Sequence, residues 1–181
     1  MNKVIDDLMN EHRAVLGALH VLKGIASRLE EGQPVGEADI SDILGFLKLF
    51  ADRCHHGKEE GMLFPALVRA GLPQDSGPVG VMLLEHERGR ELISAMEESS
   101  FPKLEPKRFA AAVHGYVDLL EKHIAKENDI LFPLAGKLLT EHQLAEMAEA
   151  FDRHEETVVG KGRHEELHAM LSSLHSRYGS P

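Results

Sequence analysis

The feature that most constrains this chain is a sequence block that occurs twice. The frame H-x-x-K-E-x-x-x-L-F-P begins at His55 and again at His123. In each copy a glutamate follows the histidine by four residues, so a helix places both on one face, one turn apart. The pairs are His55 with Glu59 and His123 with Glu127. A ring nitrogen and a carboxylate presented together, twice, predict a helical bundle built around a two-metal site.

The rest of the chain also has helical periodicity, and β-branched residues are sparse. Clusters of Gly and Pro divide it into four long predicted helices, over residues 2–30, 37–70, 78–99 and 106–137. Thr140 and Gln143 form a capping-box pattern that predicts a fifth helix, and a short sixth follows Gly162. The predicted fold class is all-α, an up-down four-helix bundle with one or two additional C-terminal helices.

Polar residues interrupt the apolar face of each long predicted helix. Glu11-His12 in the first helix is echoed by Glu85-His86 in the third, so the first helix pair is repeated as the second. A carboxylate buried on an apolar face is costly unless it is paired or bound to a metal. The candidate metal ligands are four histidines and two glutamates: His12, His55, Glu59, His86, His123 and Glu127.

The chemistry of this donor set points to a small group of metals. Nitrogen and oxygen donors without a thiolate favour iron, manganese or zinc. Two divalent ions about 3.5–4 Å apart can share bridging carboxylates. Six protein ligands leave coordination positions open, and water, hydroxide, dioxygen or peroxide could take them.

Composition excludes several other classes of function. The formal net charge of −10 argues against broad nucleic-acid binding, which needs a basic surface. A single cysteine, Cys54, excludes an internal disulfide and any cysteine-based zinc or iron–sulfur site within one chain, and we expect it to be buried and inert. No apolar signal region opens the sequence, and no apolar stretch approaches membrane-spanning length. We expect a cytoplasmic protein that binds neither nucleic acid nor membranes.

The order of these motifs resembles the hemerythrin-like (HHE cation-binding) family, in its bacterial six-ligand branch. The resemblance rests on H…H-x-x-x-E…H…H-x-x-x-E, with Leu-Phe-Pro after each H-x-x-x-E. It implies an up-down bundle over residues 1–137, with a helical extension over 138–181 packed on it. It also implies a non-haem centre of two iron ions held by the six candidate ligands, with Glu59 and Glu127 as bridging carboxylates. Zinc or manganese could replace the iron in a purified sample.

One position departs from the oxygen-carrying hemerythrins that this pattern resembles. Those proteins have a fifth histidine one turn after the third-helix histidine, where this chain has Arg90. The departure implies a more open iron, better suited to peroxide or redox chemistry than to reversible oxygen carriage.

Other histidines have less decisive patterns. His56 and Glu60 form a second pair with the same spacing, but they lie about 100° around an α-helix from the first pair. We interpret them as flanking residues, with a shifted register that makes them ligands as the alternative. His164 and His168 share a helix face that could bind metal, approach the mouth of the site or face solvent.

Three functions remain open at this point. In the first, a di-iron centre binds, senses or detoxifies a small inorganic ligand: dioxygen, peroxide or nitric oxide. In the second, the protein is a regulatory or iron-handling module whose partner responds to its metal occupancy, without turnover. In the third, the bundle is purely structural and its histidines are incidental.

Overall fold

A computed structural model describes residues 2–160 and 162–179, and the chain within those ranges forms six helices and no strand. The prediction of an all-α fold is confirmed. Four of the helices are each a single segment: α1 (Lys3–Glu30), α3 (Gly77–Ser100), α5 (Glu141–Val158) and α6 (Arg163–Tyr178). The other two are continuous helices with several segments: α2 over 37–69 (Glu37–Phe46, Leu47–His56, Glu59–Leu63 and Phe64–Arg69) and α4 over 106–138 (Pro106–Lys126, Glu127–Leu131 and Phe132–Leu138).

The helix ends follow from local side-chain and backbone chemistry. Asn2 caps α1, because its side chain accepts a hydrogen bond from the backbone N–H of Val4. Thr140 and Gln143 form the predicted capping box at the start of α5. After α1, Gly32 adopts a φ of 71°, a left-handed conformation that glycine tolerates best.

The repeated blocks widen α2 and α4 into π-helical turns. The N–H of Phe64 donates to the carbonyl of Glu59, and the N–H of Phe132 donates to that of Glu127, five residues back instead of four. Each of these turns ends at the leucine of Leu-Phe-Pro, two residues before the proline. A proline ring clashes with the carbonyl four residues back in an α-helix, and a wider turn relieves that clash. Both helices therefore continue through their prolines.

Two apolar cores fill the bundle, one on each side of a polar layer. The small core includes Leu8, Leu63, Met82 and Phe132, and the large core includes Leu22, Phe50, Ile93 and Phe109. Along α1 and α3 the chain passes from the small core to the large one, and along α2 and α4 it passes back. The four long helices therefore alternate in direction, as the up-down topology requires.

The C-terminal helices complete both cores. From α5, Phe151 packs in the small core, and from α6, Leu174 and Tyr178 pack in the large core. The contact of α6 with α1 is close at Gly24, where a Cβ atom would lie 1.8 Å from the carbonyl oxygen of Tyr178. The division into a bundle over 1–137 and an extension over 138–181 stays a prediction.

Candidate metal centre

The polar layer between the two cores contains all six sequence-predicted ligands. Each of them is at most 2% exposed. Two overlapping groups each offer donor atoms that lie within 4.8 Å of one another: His12, His55, Glu59 and Glu127, and His56, Glu59, His86 and His123. The structure thus brings the six predicted residues together and adds His56, which α-helical geometry places at the flank.

Glu59 lies between the histidines of the two groups. Its Oε1 is 3.7 Å from His55 Nε2, and its Oε2 is 3.5 Å from His86 Nε2. One carboxylate therefore faces both halves of the layer, which is the placement a bridging ligand needs.

Glu127 lies between the other two histidines. Its Oε2 is 3.1 Å from His12 Nε2 and 3.2 Å from His123 Nε2. The two glutamates are therefore arranged alike, each between one histidine of the first helix pair and one of the second.

Buried atoms in this layer lack hydrogen bonds within the described residues. They are both carboxylate oxygens of Glu59 and Glu127, Nε2 of His12 and His55, and Nδ1 of His56. A buried polar group left unpaired costs about 1–3 kcal/mol. Cations that take up these lone pairs would remove that cost, and the nitrogen and oxygen donors fit iron, manganese or zinc. The residues present therefore fit a dinuclear metal site.

A second set of side chains orients two of the histidines. His55 Nδ1 is 2.7 Å from Glu11 Oε2, and His123 Nδ1 is 3.0 Å from Glu85 Oε2. A carboxylate only accepts, so each imidazole donates from Nδ1 and turns Nε2 to the centre. The glutamates of the two Glu-His dipeptides, Glu11 and Glu85, thus orient the first histidine of each repeated block.

The other two histidines are held by residues of the repeated block. His12 Nδ1 is 2.9 Å from Asn128 Oδ1, and His86 Nδ1 is 2.7 Å from Glu60 Oε1. Asn128 and Glu60 occupy the same position in the two copies of the block. The prediction that Glu60 flanks the site agrees with this contact.

The phenylalanines of the two Leu-Phe-Pro segments pack on these same rings. His12 stacks on Phe132 with ring centroids 5.3 Å apart, and His86 stacks on Phe64 at 5.7 Å. Each Glu-His dipeptide therefore contacts both blocks, with its glutamate on one and its histidine on the other. This exchange relates the two halves of the site by an approximate two-fold symmetry.

The lysine of each block neutralises the orienting glutamate. Lys58 Nζ donates to Glu11 Oε1 at 2.5 Å, and Lys126 Nζ donates to Glu85. Burial opposes ionisation of Glu11, but His55 and Lys58 outweigh it and lower the pKa of the Glu11 carboxyl to about 2. Sequence reasoning gave these four residues no role, although both lysines and both glutamates belong to the repeated motifs.

The charges at the centre differ between the two carboxylates. Burial, then the neighbouring Glu127 carboxylate, raises the pKa of Glu59 well above its ordinary value. Burial acts in the same direction on Glu127, but His123 and His12 outweigh it and hold the pKa of Glu127 well below the ordinary value. Without a cation, the layer therefore favours one ionised carboxylate, so a metal would displace a proton as it binds.

A hydrogen-bonded chain leads from the centre to the C-terminal helices. Lys58 Nζ also donates to Glu155 Oε2 at 2.8 Å, and Glu155 Oε1 is 2.6 Å from His164 Nδ1. His164 stacks on His168 with ring centroids 4.7 Å apart. These two histidines lie at the outer end of a series of hydrogen bonds that begins at His55. Neither histidine belongs to the two donor groups.

Two further observations concern the chemistry of the chain. Cys54 is buried, and burial raises the pKa of its thiol to about 12, in agreement with an inert side chain. None of the helices in the described residues is both long enough and apolar enough to cross a membrane.

Comparison with known proteins gives matches over most of the chain. A family model described as the hemerythrin HHE cation binding domain matches residues 3–135. An uncharacterized protein of Mycobacterium tuberculosis (strain ATCC 25618 / H37Rv), Rv1995, is 24% identical over 161 residues, which are 86% of this chain and 62% of that protein.

Matches to proteins named YtfE have a higher sequence identity but cover a shorter part of this chain. The iron-sulfur cluster repair protein YtfE of Escherichia coli O81 (strain ED1a) is 34% identical over 92 residues, or 46% of this chain and 42% of its own length. The protein of the same name from Salmonella schwarzengrund (strain CVM19633) is 33% identical with the same coverage. The chain therefore spans less than two thirds of the length of these relatives. No solved structure gives a significant match.

Proposed function

This chain belongs to the hemerythrin HHE cation-binding family, and from that membership and the geometry of its centre we propose a non-haem di-iron protein that binds, senses or detoxifies a small oxidant. The candidate oxidants are dioxygen, peroxide and nitric oxide. The observation that carries the proposal is the pair of fully buried carboxylates, Glu59 and Glu127, each placed between histidines of the two donor groups.

In this proposal the six predicted residues hold two iron ions, and each side chain has a defined task. His12, His55, His86 and His123 would supply Nε2, and Glu59 and Glu127 would be the carboxylates that the two ions share. Iron bound there would supply redox chemistry and open coordination positions for a small ligand. Glu11, Glu85, Glu60 and Asn128 hold the Nδ1 protons, which fixes the tautomer and direction of each ring.

Burial supports a small ligand, and charge favours peroxide among the three candidates, because peroxide can bind as an anion. Lys58 neutralises Glu11, Lys126 neutralises Glu85 and Arg90 neutralises Glu60, whose Oε1 accepts from Arg90 Nη2 at 2.6 Å. The charge of the centre would therefore come from Glu59, Glu127 and the metals. Two divalent ions exceed the charge of two carboxylates, and a buried site favours a further anion that balances them. Because every donor is almost fully buried, only a ligand of a few atoms could reach the centre without displacing helices.

Reactivity of the iron-loaded protein tests this proposal. We expect anaerobically purified protein with two ferrous ions per chain to react with peroxide faster than the same concentration of free ferrous iron. A ligand-to-iron absorption band in the near ultraviolet would accompany the reaction. A protein that retains only trace iron, or reacts no faster than free iron, would contradict the proposal.

Matched variants separate the site from the rest of the surface. Glu59→Gln and Glu127→Gln keep side-chain volume and remove a bridging charge, so both should lower iron content and peroxide consumption. Glu98→Gln, whose side chain is 62% exposed, should change neither. Equal iron content in all three variants would favour a structural role for the buried glutamates.

The series of hydrogen bonds that runs from His55 through Lys58 to Glu155 favours a second candidate function. In it the protein is a regulatory or iron-handling module without turnover. The series connects the centre to α5, so iron occupancy could alter the surface that α5 and α6 present. This candidate predicts iron-dependent hydrogen-exchange protection in α5 with no peroxide consumption above that of free iron.

A cytoplasmic location, and the absence of nucleic acid and membranes among its partners, remain predictions from the sequence.

A further inference from the structure

His56 is a buried residue of the polar layer that is not among the six predicted ligands. Its side chain is buried, and Nδ1 makes no hydrogen bond within the described residues. One of its ring nitrogens lies within 4.8 Å of donor atoms of Glu59, His86 and His123. An imidazole nitrogen placed among such donor atoms has the chemistry of a metal ligand.

The form of α2 explains why His56 reaches the centre. Residues Leu47–His56 form a run of π-helix, and the N–H of Gly57 donates to the carbonyl of Asp52, five residues back. A π-helical turn contains more residues than an α-helical turn, so successive side chains are rotated by less than 100°. His56 therefore lies nearer the face of His55 than α-helical geometry predicts, with the two ring centroids 5.7 Å apart.

Contacts around His56 hold its ring beside those of two predicted ligands. It stacks on His86 with ring centroids 3.7 Å apart and meets His123 edge-on at 5.8 Å. Its Nδ1 lies 3.5 Å from Asp52 Oδ1. Arg90 fixes that carboxylate, because its Nε donates to Asp52 Oδ1 at 2.8 Å. The side chain is thus positioned by neighbours that are themselves ion-paired.

We propose that His56 is a seventh protein ligand, which binds the metal shared with His86 and His123. This inference rests on the proposed dinuclear site and adds to it a difference between the two metals. The position equivalent to His56 in the second block is Ile124, so the metal held by His12 and His55 has no matching third histidine. One metal then has three histidines and the other has two.

Titration of the metal-free full chain with Co²⁺ tests the inference, with absorption in the visible range as the readout. His56→Phe preserves an aromatic ring against His86 and removes both nitrogen donors. We expect it to weaken one of the two Co²⁺ sites at least tenfold and to leave the other within about twofold. His142→Phe, at a side chain that is 82% exposed, is the control and should leave both sites unchanged.

The outcomes distinguish this inference from the proposed function. If the wild-type chain binds two Co²⁺ ions and His56→Phe binds them with unchanged affinities, His56 only packs against His86 and the inference is wrong. If the wild-type chain does not bind two ions, the dinuclear proposal itself fails.

A measurement on the wild-type chain keeps the test independent of how the variant folds. The proton magnetic resonance spectrum of the dicobalt protein should show strongly shifted ring signals from five histidines. Selective deuteration of histidine rings would identify them. Signals from four histidines would overturn the inference.

Discussion

Lys58 and Lys126 occupy the same position of the repeated block but differ in burial. The Lys58 side chain is 2% exposed and that of Lys126 is 36% exposed. Both neutralise a glutamate that orients a histidine. Losing one member of an ion pair costs more when the other member is buried away from water. The two lysines should therefore contribute different amounts to the free energy of unfolding, although they occupy the same position of the motif.

The first prediction compares these two lysines in the metal-free protein. Lys58→Met leaves Glu11 buried without its cation and should lower the free energy of unfolding by about 3–5 kcal/mol. Lys126→Met should lower it by about 1 kcal/mol or less, because water can reach Glu85. Urea denaturation of both variants measures the difference. Equal losses would show that burial does not set the strength of these pairs.

The second prediction concerns the conflict between stability and metal binding at Glu59. The pKa of this buried carboxyl is raised in the metal-free fold, so folding at neutral pH must protonate Glu59 at a cost in free energy. Glutamine does not have that cost, and in metal-free protein Glu59→Gln should raise the free energy of unfolding by about 1 kcal/mol. In iron-loaded protein the same change should be destabilising, since a bridging ligand is lost. Thermal unfolding with and without Fe²⁺ measures both effects. A variant that is less stable in both states would point to a structural glutamate.

The inner residues of the site were accessible from the sequence, and the outer ones were not. His55 and Glu59 share a face of any helix, so spacing alone predicts that they meet. The contact between Glu11 and His55 depends on how α1 packs against α2, which spacing within one helix does not determine. The repeated lysine and the Glu-His dipeptides were signals for these contacts, but nothing local assigns their partners.

At the scale of helices, sequence punctuation predicted most boundaries to within a residue or two. Gly, Pro and capping residues act locally, so their effects can be read from a short window. The π-helical turns in α2 and α4 were not predicted. We attribute these turns to crowding at Pro65 and Pro133 and to packing around the centre. The spacing of apolar residues along the sequence does not indicate where such turns form. His56 was assigned to the flank for that reason.

The third prediction tests how α6 docks on α1. A methyl group at Gly24 would overlap the carbonyl of Tyr178, which is backbone and cannot rotate away. Gly24→Ala should therefore lower the free energy of unfolding by about 2–3 kcal/mol, or release α6. Gly136 has no heavy atom within 4 Å of an added Cβ, so Gly136→Ala should raise stability by about 0.5–1 kcal/mol. Circular dichroism during urea titration measures both, and a neutral Gly24→Ala would show that α6 does not pack this closely.

At the scale of the molecule, a polar layer separates two apolar cores. Within the described part of the chain, seven buried atoms of that layer have no hydrogen bond, six of them on four predicted ligands, so the layer is a weak plane of the metal-free bundle. Metals that join ligands from all four long helices would strengthen this plane. We therefore expect metal binding to stabilise the bundle as a whole, including residues in both cores.

The fourth prediction follows from that expectation. Free metal at 100 times its dissociation constant should add about 2.7 kcal/mol per site to the free energy of unfolding. Hydrogen exchange should slow in α1 to α4 on both sides of the layer. Urea titration and hydrogen exchange with and without Fe²⁺ measure these effects. Protection confined to one helix pair would contradict a site shared by all four.

The most direct test of the central claim is anomalous X-ray scattering from crystals of the iron-loaded protein. We expect two iron peaks per chain, about 3.5–4 Å apart, between the six buried ligands and bridged by Glu59 and Glu127. A single peak, peaks on the protein surface, or glutamates that do not contact both metals would contradict it.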